Sequence, residues 1–253
     1  MISHQHRCIF IHIPKCAGQS IETAFLEDLG LDWATCAVLL LRPNDRPEIG
    51  PPRLAHLIAR DYLRHHYLSR ELFDSYFKFA VVRNPWERAV STYHYLNANE
   101  SFDNFVDRLT RSCSEGAADG DFWFFRPQVD FVTDEAGTIV VDRVIHFENI
   151  ATAFRHVAAT VNLQIPLGHV NKSEPGAPAS REIVRRPRRP LGLLGKLGKA
   201  RRDVGPPDLR ARHKHWRHFY TDVTRAKVGE IYAQDIKRFG YSFDNECLAG
   251  KTG

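Results

Sequence analysis

CIFIHIPKCAGQSIETAFLEDLG, running from Cys8 to Gly30, divides into a strand, a turn and a helix. Cys8 to Ile13 is short, apolar and rich in isoleucine, which suits a strand buried on both faces of a parallel sheet better than an amphipathic one. Pro14 ends the pairing because it has no N–H to offer a neighbouring strand. Beyond the turn, Ile21, Ala24, Phe25 and Leu29 recur at helical spacing, Ser20 stands where an N-cap belongs, and Gly30 supplies a C-cap. The turn therefore gathers Lys15, Gly18, Gln19 and Ser20 where a helix begins. A cation, freed N–H groups and a hydroxyl at such a place bind phosphate, and Gly18 lets the backbone approach a ligand closely. Taken alone, the stretch is equally an ordinary strand-to-helix turn with a surface lysine. It does not fit the Walker pattern, because no glycine precedes the lysine.

A second unit repeats the design. In YFKFAVVRNPWERAVSTYHYL, from Tyr76 to Leu96, an apolar strand ends at Val82 and a helix opens at Asn84-Pro85, a favoured N-cap followed by a favoured first helical residue. Arg83 then sits at the carboxyl end of a strand, and Ser91 lies about two turns into the helix. Both can reach one anion beside the first turn, in the crevice where open α/β sheets bind their ligands.

HIPKCAGQSI resembles the 5′-phosphosulfate loop, and VVRNPWERAVSTYHYL the 3′-phosphate motif, of sulfotransferases that use 3′-phosphoadenosine 5′-phosphosulfate (PAPS), in the carbohydrate-type family 2 branch. HLIARDYL from His56, RPQVDFVTDEAGTIVVDRVIHFENI from Arg126, HVNKSE from His169 and YTDVTRAKVGEIYAQDIKRFGYSF from Tyr220 resemble that branch in the same order. The resemblance implies that Lys15 contacts the phosphosulfate and stabilises the departing bridging oxygen. Ala17, Gly18, Gln19 and Ser20 would cradle the 5′-phosphate, and Arg83 and Ser91 would hold the 3′-phosphate. Cys16 departs from the family's usual threonine and offers only a weak S–H donor. Lys172 and Ser173, in a late loop near the nucleotide in this family, are further donor-binding candidates, though Lys172 reads equally as a surface lysine. Gln128 faces either the acceptor or the interior.

Sulfuryl transfer, like phosphoryl transfer, asks for alignment and charge stabilisation, and requires no metal. The acceptor hydroxyl must lose a proton, for which a neutral imidazole is suited near neutral pH. Among thirteen histidines, the resemblance of HLIARDYL selects His56 as the base. His12 reads as well as a satisfied core histidine, His94 as structural, and Glu148 in the Phe147-Glu148-Asn149 corner as a weaker alternative base.

The expected fold is α/β, a P-loop-like parallel sheet with helices on both faces in one domain spanning 1–253. Strands are expected at Cys8 to Ile13, Lys78 to Val82 and Val140 to His146, with another at Cys36 to Leu41. Helices are expected at Ser20 to Leu29, near His56 to Leu63, and over Pro85 to Leu96, Phe102 to Leu109, Ala151 to Val161 and Asp222 to Phe239. Five scattered cysteines without C-x-x-C spacing indicate neither a zinc site nor a disulfide framework. A reducing compartment, the cytoplasm, is expected, since no leader precedes the first strand and no apolar run approaches the ~18 residues of a membrane span.

The excess of basic residues has one source. The segment 181–217 holds 13 Lys or Arg against 3 acidic residues, whereas the chain as a whole is only +5. Its prolines and glycines oppose a stable helix. It reads as a mobile, solvated insertion, or as a surface for an anionic glycan or the inner face of a membrane, with Leu191, Leu193, Leu194 and Leu197 at the interface. No aromatic interleaving supports nucleic acid. The resulting expectation is a PAPS-dependent sulfotransferase acting on a hydroxyl of a saccharide or glycoconjugate. The alternatives are a non-catalytic nucleotide- or polyanion-binding protein and a P-loop-like kinase. The acceptor and the oligomeric state are not written in the residues.

Overall fold

The isoleucine-rich run forms an inner strand of a four-stranded sheet whose strands lie side by side in chain order. In the computed structural model, which describes residues 1–96, 100–116, 122–167 and 215–244, β2 (Cys8–Ile11) lies parallel to β3 (Phe77–Val82), with Ile9 opposite Lys78 and Ile11 opposite Ala80. β3 pairs in turn with β4 (Arg143–His146), again parallel, and β1 (Ile2–Ser3) flanks β2 antiparallel. Every residue of β2, and β3 from Lys78 onward, is buried. Both sheet faces are therefore covered, the condition under which parallel strands are stable. On one face Phe79 stacks on Phe10 at 5.0 Å and meets Phe25 and Phe154 at 6.4 Å each. Those two rings come from α1 (Gly18–Asp28) and α8 (Ile150–Thr160), so helix burial and strand pairing share one core.

Between these elements lie α2 (Asp61–Arg64), α3 (Arg70–Ser75), α4 (Pro85–Leu96), α5 (Phe102–Glu115), α6 (Phe122–Phe125) and α7 (Gln128–Val132). After residue 214 follow α9 (Asp222–Ile231) and α10 (Ala233–Phe239). A second apolar cluster forms where α4, α5 and α9 meet, around Trp86, Phe105, Phe125, Val228 and Tyr232.

Local signals explain most boundaries. Gly30 at φ 65° closes α1, with Leu31 N–H donating to Leu26 O at 2.8 Å and Gly30 N–H to Glu27 O at 3.0 Å, the pair of bonds of a Schellman cap. Asn84 caps α4, its Oδ1 accepting from Trp86 N–H at 3.1 Å and Glu87 N–H at 3.4 Å, with Pro85 at the first helical position. Other expectations are corrected. Cys36 to Leu41 is no strand but a 3-10 turn over Cys36–Leu39, closed by Leu40 in the left-handed region. Near His56 there is a 3-10 turn, Leu54–His56, followed by the short α2. The expected strand from Val140 starts only at Arg143, because Asp142 turns its carboxylate onto Lys78 N–H at 2.7 Å. The long final helix is broken at Tyr232, φ −104° and ψ 26°, where the side chain turns inward and its hydroxyl donates to Phe125 O. Of the basic segment 181–217, all but the last three residues lies outside the described residues. Among the described residues no helix is long and apolar enough to cross a membrane.

Candidate active site

Because β2 and β3 are parallel neighbours, the turns at their carboxyl ends lie side by side, and those turns carry Lys15 and Arg83. The first turn is unusual in its backbone. Lys15 at φ 68° and Ala17 at φ 59° are both left-handed without being glycine, a cost of order 1 kcal/mol or more each. Left-handed residues of this kind build the nests in which backbone N–H groups meet an anion. Ala17, not Ser20, is the N-cap of α1, and it has no side-chain cap bond. Ser20 is the third helical residue and its N–H is taken by Ala17 O at 3.1 Å. The N–H groups of Gly18 and Gln19 open the helix and have no acceptor within it.

Gly18 also has a task that its sequence context does not suggest. A β-carbon there would lie 1.8 Å from His12 Nε2 and 2.0 Å from its Cδ2. The His12 ring fills that space, held by a 2.5 Å contact from Nδ1 to the buried Glu22 carboxylate. Glycine is thus required by a protein neighbour. Gly18→Ala is expected to lower stability by about 1–3 kcal/mol through overpacking, and to cost little in a His12→Ala background. Thermal unfolding of the single and double variants checks this, and equal losses in both backgrounds would contradict it.

The second turn leans on the first. Arg83 donates through Nη1 to Lys15 O at 3.2 Å and through Nη2 to Glu87 Oε1 at 2.7 Å, and its guanidinium lies 4.2 Å from the Phe147 ring centroid. Its Nε is buried and has no hydrogen-bond partner among the described residues. The Lys15 ammonium stands 4.0 Å over the Tyr95 ring. Burial, and then the nearby Arg83 charge, bring the Lys15 amine down to about 8. Glu87, Ser91 and Tyr95 occupy one face of α4, a turn apart. Ser91 therefore lies between the Arg83 and Lys15 contacts. Glu87 and Tyr95 escaped the sequence reading, although their spacing of four from Ser91 was the available signal.

His56 joins the same region through the backbone. Its Nδ1 lies 3.0 Å from His12 O. A carbonyl only accepts, so Nδ1 carries the proton and Nε2 keeps its lone pair. Burial is the largest cause holding this imidazole well below the ordinary histidine range, with His12 and Arg53 adding to it. The His56 ring packs 4.3 Å from His12 and 4.9 Å from Trp123, a neighbour the sequence did not mark. The other base candidates are engaged elsewhere. Glu148 accepts from Asn84 N–H and the Tyr241 hydroxyl, each at 3.0 Å, and burial raises its carboxyl. His94 packs on Phe219 and Tyr93. Lys172 and Ser173 lie outside the described residues.

Behind the two turns is a fully buried polar layer. Gln128 faces the interior, with its amide on the backbone of Arg83, and the Cys16 thiol points at it, 3.4 Å from Oε1. Cys16 is thereby turned away from the anion side, and burial pushes its thiol up to about 12. Arg88, also buried, donates from Nε to Pro14 O at 3.1 Å and from its terminal nitrogens to Phe124 O and Arg126 O, tying the first turn to the segment before α7. Among the described residues no group of three or more His, Cys, Asp or Glu is arranged to hold a metal ion. A cavity of about 260 Å³ between β4 and α8, lined by Arg143, His146, Asn149 and His156, contains none of the site residues.

The two turns are joined by the Arg83 bond to Lys15 O, and His56 is tied to β2's continuation through His12 O. No curated protein and no solved structure matches the chain. The profile described as Sulfotransferase family matches residues 1–242, nearly the full length and both turns included, and on that span the chain belongs to the sulfotransferase family.

Proposed function

We propose that this sulfotransferase takes its sulfuryl group from PAPS and passes it to a hydroxyl of a saccharide or glycoconjugate. One observation carries the donor assignment: a buried Arg83 Nε without a partner among the described residues, beside a desolvated Lys15. Glu87 already pairs with Arg83 at 2.7 Å, whereas the Lys15 ammonium stands over a ring with the Arg83 charge nearby, and an anion between the two cations relieves that repulsion. The residues present fit a ligand with phosphate at both ends of a ribose. The N–H groups of Ala17, Gly18 and Gln19 with the Ser20 hydroxyl would take the 5′-phosphate, and Arg83 with Ser91 the 3′-phosphate. When bound, PAPS supplies an activated sulfuryl group on a phosphate that leaves readily. Lys15 would neutralise the charge growing on the departing oxygen, and His56 Nε2 would accept the acceptor's proton as its oxygen bonds to sulfur in line. The ordered resemblance to the carbohydrate-type branch supports the acceptor class.

Calorimetry with adenosine 3′,5′-bisphosphate and with 5′-AMP tests the donor. The bisphosphate is expected to bind roughly 10- to 100-fold tighter, the worth of one or two charge-assisted hydrogen bonds, and Arg83→Ala to erase that preference. Equal affinities in the unaltered protein overturn the assignment. Transfer from labelled donor to a glycan panel separates the enzyme from a polyanion-binding protein, since the latter binds donor without turnover.

A further inference from the structure

Arg83 follows the last residue of β3 and has no strand beside it. Its place in the ladder is taken by a side chain. Gln128 Oε1 accepts from Arg83 N–H at 2.8 Å while Gln128 Nε2 donates to Arg83 O at 2.8 Å. These two bonds do for Arg83 what a paired residue does in an antiparallel ladder, and they fix the backbone from which the guanidinium projects. The same Oε1 receives the Cys16 thiol at 3.4 Å, so one amide joins both turns. Gln128 is itself held. Asp235 Oδ2 accepts from Gln128 N–H at 2.8 Å and Nε2 at 3.3 Å, and Oδ1 from Val129 N–H at 2.8 Å. Gln128 and Asp235 are both 0% exposed, so water cannot replace a bond that is lost.

We propose that Gln128, oriented by Asp235 of α10, is a positioning residue that sets the spacing between the two turns and so the recognition of a 3′-phosphate. The inference rests on the donor reading above. Neither side chain touches the ligand in this scheme. A displaced Gln128 frees the Arg83 backbone, so the 3′-phosphate contact suffers while the 5′-phosphate cradle, built on α1, stays in place.

The test compares Gln128→Met and the milder Asp235→Asn with the unaltered protein, well below their melting temperatures. Bisphosphate affinity is expected to fall roughly 10- to 100-fold while 5′-AMP affinity stays within about threefold, the resolution set by a fraction of one such bond. In turnover, the KM for donor should rise more than kcat falls. A preserved ratio of bisphosphate to 5′-AMP affinity, whether both are unchanged or both weaken together, overturns the positioning role and leaves only a structural one. Should Gln128→Met fail to fold, Asp235→Asn alone decides by the same ratio. A lack of 3′-phosphate preference in the unaltered protein is a separate outcome, which removes the donor reading and this inference with it.

Discussion

Lys15→Ala is expected to lower kcat/KM by roughly 10³-fold, the scale found when one preorganised group facing a developing oxyanion is removed. The expectation follows from where the ammonium sits. Its backbone is fixed in the left-handed region, its charge lies over Tyr95, and burial with Arg83 beside it brings the amine to about 8. A cation so placed has already lost much of its hydration, and it regains that energy as charge moves onto the leaving oxygen. The depressed value adds a pH signature. In the free enzyme Lys15 loses its proton as pH rises through about 8, so kcat/KM should decline above that pH, and donor binding there should be accompanied by proton uptake. Once bound, the donor's negative charge favours the ammonium and moves the decline in kcat to higher pH. Calorimetry in buffers of different ionisation enthalpy measures the uptake, and labelled-sulfate transfer measures the rate. The role assigned to Lys15 fails if Lys15→Ala keeps an unaltered alkaline limb or loses less than about tenfold in rate, one bond's worth of stabilisation.

The parts of this molecule legible in the sequence are those with local causes. β2, the entry to α4 at Asn84-Pro85 and the cap at Gly30 each follow from a few adjacent residues, and the structure has them all. The features that differ from expectation have non-local causes. Ser20 was the natural N-cap by composition, but the helix starts earlier because Ala17 accepts a left-handed backbone, which no side chain announces. Gly18 has a second duty that its neighbours in sequence do not reveal: its missing β-carbon makes room for His12, placed by Glu22 ten residues further on. Periodicity ran through Tyr232 without a pause, and the break there serves contacts with Phe125, 107 residues away in the chain.

The polar layer is only partly legible in the sequence for the same reason. Gln128 meets Arg83 across 45 residues and Asp235 across 107. The resemblance leaves Gln128 facing either the acceptor or the interior, and nothing near Asp235 distinguishes it from a surface carboxylate, the commoner fate of Asp. Both ended fully buried because parallel sheets stop before their loops do, and the backbone groups beyond the last ladder bond still need partners. In this fold one side-chain amide supplies them.

His56→Asn should lower kcat by about 10²- to 10⁴-fold, the usual range for a lost general base, while leaving bisphosphate affinity nearly unchanged. Asparagine is the informative substitution because its amide N–H can replace the Nδ1 donor to His12 O, now at 3.0 Å, yet it has no basic nitrogen. His56→Ala removes both functions. If His56 served only to hold the His12 carbonyl, the asparagine variant would retain most activity and only the alanine variant would suffer, and that pattern would remove His56 as the base. The acid side of the pH profile gives an independent reading. A base works unprotonated, and burial keeps this imidazole well below the ordinary histidine value of 6.5. Its working form is therefore complete at neutral pH and persists as pH falls through 6.5, so kcat should show no His56 limb between pH 7 and 6. An acid limb centred on the ordinary histidine value, present in the unaltered enzyme and absent in His56→Gln, would mean that the imidazole is solvated during turnover, contrary to its packing against His12 and Trp123.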